Sequence, residues 1–288
     1  MGAGPPRRVL VSDGEALLEV AVEAARMAGG LLAARVRGGA EREVSSKSTP
    51  TDLVSEADLA AERAIRELLA RRRPDDGFIG EEGGSERGTS GLSWVVDPLD
   101  GTVNFLFGIP QWCVSVAVRD AEGAVAGAVY DANRDELFTA WREGPAKLAG
   151  PLGSRELHGP AGEGGEGSAG ATPGEGVVME SAMVATGLAY DADVRAAQAR
   201  VLSRLVPRVR DIRRLGSAAL DLTWTAGGRY DAYFERSVKP WDIAAGALIC
   251  ERAGLSVLEL PVHENLPWGI LVARPELAEA LLELVGGP

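Results

Sequence analysis

The chain has 288 residues, 45% of them hydrophobic, 25% charged and 5% aromatic, a balance that excludes disordered, collagen-like and coiled-coil classes. Lys and Arg number 30 against 42 Asp and Glu, and a net charge of -12 repels phosphate backbones and anionic bilayers, which argues against nucleic acid or membrane as the main partner. Two histidines, His158 and His263, and two cysteines, Cys113 and Cys250, lie outside any motif, so neither a Ser-His-Asp or Cys-His nucleophile nor a His/Cys zinc site is expected.

The first ten residues lack the apolar stretch of a secretory signal, and isolated cysteines fit a reducing cytoplasm. Ser12–Arg37 reads as an amphipathic helix: Ser12 and Glu15 have capping-box spacing, Leu17, Val20, Ala24, Met27 and Leu31 form the apolar stripe, and Gly38–Gly39 ends it. A second helix is predicted from Ser55 to about Arg73, with Ala61, Ile65, Leu68 and Leu69 inward and Pro74 closing it. Strand-like runs follow at Phe78–Gly80, Trp94–Val96, Trp112–Val118 and Val125–Tyr130. From Ser154 to Gly176 large apolar residues vanish, which predicts a flexible Gly-rich insertion between an N-terminal half (residues 1–153) and a C-terminal half (177–288). The second half alternates helix (Ala192–Leu205), strand (Val209–Leu215), helix (Ser217–Ala226), strand (Arg229–Glu235) and helix (Trp241–Ala253). Strands at Ser256–Leu260 and Gly269–Ala273 and a helix from Pro275 complete a layered α/β pattern.

The segment Trp94–Phe105 (WVVDPLDGTVNF) carries the chemistry. An apolar strand runs into Asp97, Pro98 holds Asp97 extended and stops the strand, and Gly101 permits a positive φ. Asp97 and Asp100, with the Leu99 carbonyl between them, can point into one pocket as hard oxygen donors suited to Mg²⁺. Alone, the segment also reads as a turn. Glu81-Glu82 supply a second carboxylate pair past Phe78–Gly80. Asp242 reads equally as a helix N-cap and Asp58 as an acid in a first helical turn.

Together these blocks resemble the inositol monophosphatase family, within the magnesium-dependent, lithium-sensitive phosphatases. The matching pieces are Lys47 with Asp52–Asp58, Gly80–Gly83, Asp97–Phe105, Gly216–Ala219, Tyr230–Glu235 and Trp241–Gly246, in order from about Ala16 to Leu260. The resemblance implies a sugar-phosphatase-type αβαβα sandwich with two sheets. It implies two or three Mg²⁺ held by Glu81, Asp97, the Leu99 carbonyl, Asp100 and Asp242, with Glu81 and Thr102 beside a nucleophilic water and Asp58 accepting from the Thr102 hydroxyl. Gly101 and Thr102 N–H groups would hold phosphate oxygens, and Asp100, Asp242, Ala218 and Glu235 would contact the substrate.

The implied reaction is hydrolysis of inositol monophosphate without a phosphoenzyme, by a cytoplasmic enzyme, commonly a homodimer, acting on a small phosphomonoester. Relatives of similar pattern hydrolyse histidinol phosphate, fructose 1,6-bisphosphate or nucleotide 3′-phosphates, and an idle regulator on the same fold is the non-enzymatic alternative. Lys47 reads as a lysine at the site entry or a solvated loop charge, Glu82 as a supporting acid, and Glu235 also as a surface charge at a strand end. Arg236 and Lys239 leave room for a second anionic group on the substrate.

Overall fold

Both faces of the central strands are apolar, which requires helices on each side of the sheet they form. The computed structural model describes residues 11–38, 44–46, 53–159 and 178–287. In the N-terminal half, α1 (Val11–Arg37) is followed by a short ribbon of β1 (Val44–Ser46) and β2 (Leu53–Ser55), then by α2 (Glu56–Arg72). Next come β3 (Gly77–Gly80), β4 (Gly84–Glu86), β5 (Ser93–Asp100), α3 (Thr102–Phe107), β6 (Cys113–Arg119), β7 (Ala124–Asp131), β8 (Glu136–Trp141), β9 (Ala146–Gly150) and β10 (Gly153–Leu157). The C-terminal half contributes β11 (Met183–Thr186), α4 (Ala192–Leu205), β12 (Asp211–Arg213), α5 (Ala218–Ala226), β13 (Ala232–Arg236), α6 (Pro240–Arg252), β14 (Ser256–Leu260), β15 (Gly269–Ala273) and α7 (Pro275–Val285).

Strands β3 to β10 build an eight-stranded sheet ordered β10-β9-β8-β7-β6-β5-β3-β4, and β11 to β15 a five-stranded sheet ordered β12-β11-β13-β15-β14. Period-2 alternation along β6 decides the layering: Val114, Val116 and Val118 pack with α1 and α2, while Cys113 and Ala117 pack toward α5 and α6. The middle helices α5 and α6 share one core with both sheets, and α4 and α7 cover the outer face of the smaller sheet. The result is the five-layered αβαβα sandwich, with α5 and α6 filling the space between the sheets.

Several boundaries differ from the sequence expectation. Helix α1 already runs at Val11, so Ser12 lies inside it, and Leu32 is buried while Leu31 is half exposed, because the stripe drifts with the helical period. Residues 154–157 are not part of a flexible insertion: they form β10 and pair with β9 from Ser154↔Ala149 to Leu157↔Ala146, exposed on an edge and so polar in sequence. Residues 160–176 lie outside the described residues. Strand β13 begins at Ala232, later than Arg229; just before it, the Asp231 N–H donates to the Met183 carbonyl and the Asp231 carboxylate accepts the Met183 N–H.

Candidate active site

The decisive local event is in β5. Pro98 has no N–H, yet the strand does not stop there; it continues to Asp100 through an irregularity between Asp97 and Asp100. Asp97 lies opposite Ser115 and Asp100 opposite Cys113, so three steps on β5 match two on β6. In a regular strand residues three apart face opposite sides, but here both acids lie opposite residues of one face of β6. Leu99 falls on the other face, in the core of α1 and α2. The bulge, placed where the missing N–H costs least, thus points Asp97 and Asp100 together toward α5 and α6.

Those helices meet the acids with their N-termini. The Ser217 hydroxyl, N-cap of α5, donates to Asp100 Oδ2 at 2.6 Å, and the N–H groups of Ala219 and Ala218 donate to Oδ2 and Oδ1 at 2.7 and 3.3 Å. Asp100 is accordingly an anion seated on a helix N-terminus. Burial pushes its carboxyl up to about 6, and these three donors oppose the shift. Asp242 is the third residue of α6 rather than its N-cap, and its Oδ2 accepts the Lys239 N–H at 2.7 Å. The carboxyls of Asp97 and Asp242 are raised well above the usual range, first by burial and then by neighbouring acids: Glu81, Asp100, Asp242 and Asp58 for Asp97; Asp100, Glu81 and Glu235 for Asp242.

Past the bulge, Gly101 takes φ 94°, and a Cβ there would stand 2.7 Å from the Gln111 carbonyl oxygen, so only glycine suits the position. The turn delivers Thr102, whose hydroxyl lies 3.2 Å from Asp58 Oδ2 and 3.0 Å from the Leu99 carbonyl oxygen. Its single proton serves one of these acceptors at a time. Asp58 is fully buried in the first turn of α2. Glu81 and Glu82 follow β3 in the turn before β4 and are partly exposed.

On the far side, Glu235 at the end of β13 accepts from the Tyr233 hydroxyl at 2.8 Å. Burial raises its carboxyl to about 7, and the charge of Asp100 adds to the shift. Gly187 lies close beside it: a Cβ there would stand within 2.0 Å of the Glu235 carboxylate, so a larger residue would push that side chain aside. Ala218 sits in the first turn of α5, its N–H turned to Asp100.

The donor chemistry of Glu81, Asp97, the Leu99 carbonyl, Asp100 and Asp242 fits a hard divalent cation. Burial leads the influences on both Asp97 and Asp242, other carboxylates add to it, the Lys239 N–H opposes it at Asp242, and no cationic side chain is among those influences. Among the described residues no three such groups are arranged as a closed ligand set.

One sequence expectation needs revision. Arg236 does not await a second anion: it is 2% exposed, and its guanidinium donates to the carbonyls of Leu260, Pro261, Pro267, Val285 and Gly286, tying the chain end to the β14–β15 connection. Lys239 remains exposed, and Lys47 lies outside the described residues. Sequence reasoning quoted Ser217, Asn104 and Tyr233 inside the matching blocks without giving them a role, and passed over Gly187 and Glu62. Glu62 carried a readable signal, an acid on the apolar stripe of α2; Gly187 and Tyr233 carried none without the partner they face.

A family model described as the inositol monophosphatase family matches residues 13–286. The chain belongs to the inositol monophosphatase family. It is 41% identical over 278 residues to an inositol-1-monophosphatase of Rhizobium meliloti, covering 95% of this chain and 97% of that one. It is 36% identical over 270 residues to Nus factor SuhB of Escherichia coli K12, covering 92% and 94%. The crystal structure of extragenic suppressor protein suhB from Bartonella henselae superposes with a TM-score of 0.81 at 33% identity, covering 94% of this chain and 98% of that chain. By family and by these likenesses the chain is an inositol-phosphate phosphatase, a phosphoric monoester hydrolase.

Proposed function

We propose that this member of the family hydrolyses myo-inositol 1-phosphate to inositol and phosphate in a Mg²⁺-dependent reaction, with water as nucleophile and no phosphoenzyme. The observation that carries the reading is the β5 bulge, which turns Asp97 and Asp100 toward Asp242 on α6 within a group of mutually repelling carboxylates that includes Glu81. Glu81, Asp97, the Leu99 carbonyl, Asp100 and Asp242 would hold two or three Mg²⁺. When bound, Mg²⁺ supplies positive charge at the phosphate, acidifies a water and stabilises the leaving alkoxide.

The remaining work falls to the chain itself. Glu81 and Thr102 orient the attacking water, and Asp58 fixes the direction of the Thr102 hydroxyl. Backbone N–H groups of Gly101 and Thr102 hold phosphate oxygens, as dipoles aimed in advance at developing charge. Glu235, kept in place by Tyr233, accepts a hydroxyl of the polyol beside Ala218, which favours a hydroxyl-rich leaving group over an analogue lacking it. Catalysis as a cytoplasmic homodimer belongs to the same proposal; both cysteines are free and buried, and among the described residues no helix is long and apolar enough to cross a membrane.

Phosphate release from inositol 1-phosphate by the purified protein tests the reading. Release should vanish with chelator and in Asp97→Asn, and unchanged release in either case refutes it. A kcat/KM panel including histidinol phosphate and fructose 1,6-bisphosphate tests the substrate, and a tenfold preference for histidinol phosphate overturns that choice. Turnover by the wild-type protein also eliminates the idle regulator.

A further inference from the structure

Glu62 lies four residues after Asp58 on the same buried face of α2, a face otherwise made of Ala57, Ala61, Ile65, Leu68 and Leu69. It is 3% exposed. A carboxylate in such a stripe is costly to bury and must be held by strong partners. Its Oε2 accepts the Glu82 N–H at 2.8 Å, and its Oε1 accepts Arg66 Nε at 3.1 Å. Arg66 in turn donates to the Gly84 carbonyl at 3.3 Å and to Glu86 at 2.6 Å, and lies over the Phe78 ring at 4.0 Å from its centroid.

The turn between β3 and β4 is wrapped closely around this carboxylate. A Cβ on Gly80 would stand 2.5 Å from Glu62 Oε2, and one on Gly83 2.4 Å from Oε1. Residues 80, 82 and 83 therefore all touch Glu62, and Glu81 is the residue they bracket. The Glu81–Glu82 peptide unit is held directly through the Glu82 N–H, and Gly80 packs against the same carboxylate, which constrains where the Glu81 side chain departs. Since α2 also carries Asp58, which partners Thr102, the helix registers the Glu81 turn against the Thr102 turn across one helical turn, about 6 Å of rise.

We propose that Glu62 is a positioning residue that fixes the turn carrying Glu81 and so sets the affinity of the carboxylate site for a divalent cation. The proposal rests on the functional reading above, in which Glu81 is a ligand. An ion pair that merely stabilised the fold would alter melting without altering cation affinity, and the two are separately measurable.

The test is cation titration of metal-free protein, with Tb³⁺ luminescence and Mg²⁺ calorimetry, beside melting curves and phosphate release at saturating Mg²⁺. Glu62→Ala should weaken cation binding roughly 10- to 100-fold, with a smaller change in kcat at saturating metal. Glu62→Gln, which keeps an oxygen acceptor for the Glu82 N–H, should recover most of the affinity. Glu86→Gln, at the solvent end of the latch where the Glu86 side chain is 74% exposed, should leave it unchanged. A folded Glu62→Ala protein that melts earlier but binds both cations like the wild type overturns the proposal. Should Glu62→Ala fail to fold, Arg66→Met decides: weakened binding supports the latch, and wild-type affinity overturns it. Wild-type protein that binds neither cation refutes the functional reading instead, so the two failures are distinguishable.

Discussion

Asn104 offers a quantitative test of how the site is assembled. It is 7% exposed in α3, and its Nδ2 donates to the Gln111 carbonyl at 2.7 Å and to the Leu215 carbonyl, 111 positions away, also at 2.7 Å. An amide nitrogen has two hydrogens, and both are used. Asn104→Asp keeps the shape and removes these donors, leaving two carbonyls facing an acid. Each carbonyl left buried and unpaired costs about 1–3 kcal/mol, so with two of them the variant should lose roughly 2–6 kcal/mol. For a chain of this size, where 1 kcal/mol shifts Tm by about 1.7 °C, that lowers Tm by roughly 3–10 °C. Thermal and urea unfolding followed by circular dichroism measure the loss. The turn anchored by Asn104 leads directly into Ser217, Ala218 and Ala219, the donors on Asp100, so kcat/KM should fall as well. An Asn104→Asp protein melting within about 1 °C of wild type would show that this bridge does not secure the α5 N-terminus, and the reasoning would fail.

Two further predictions concern the polyol side. The Glu235 carboxyl is raised from 4.5 to about 7, first by burial. A folded-state value above the unfolded one means that its stabilising contribution is complete below pH 4.5 and is lost as pH rises through about 7. Metal-free wild type should therefore lose stability relative to Glu235→Gln across that window, and parallel stability curves for the two proteins would count against it. Gly187→Ala should displace Glu235, since the new methyl would overlap its carboxylate. KM for inositol 1-phosphate should rise while turnover of 4-nitrophenyl phosphate changes little, and an unaltered KM for the inositol ester rules the contact out.

The fold was legible where apolar periodicity was strong. The β14 and β15 segments match their predicted bounds, and α4 does as well. Strands β8 to β10 were not predicted, because Glu136–Trp141 mixes charge with apolar residues and Gly153–Leu157 is an exposed edge; their order in the sheet is set by pairing partners, not by local pattern. The acids of the site were visible because several blocks in which an apolar run ends in Asp or Glu stand together in the order of the family pattern; any one of them alone reads as a turn. What held them was not visible. Ser217 looked like the start of a helix, and only the tertiary structure brings that start to Asp100, 117 positions earlier. Arg236 shows the opposite error: a cation near a proposed anion site reads as a binder until its donors are counted against carbonyls.

Pro98 links the two levels. A proline within a paired strand removes a ladder hydrogen bond, and by itself it argues for the strand's end. The sheet answers by inserting one residue, and that insertion moves Asp100 onto the face already occupied by Asp97. Close acidic side chains repel, so the arrangement opposes folding unless something offsets the charge. The α5 N-terminus offsets part of it at Asp100 through Ser217, Ala218 and Ala219, while Asp97 and Asp242 keep carboxyls raised by their neighbours. The sandwich can hold this strain because Leu99, between the two acids, is fully buried among the residues of α1 and α2. A regular strand without the bulge would send either Leu99 or one acid to the wrong face, so the local backbone irregularity is what lets one segment serve both the core and the site.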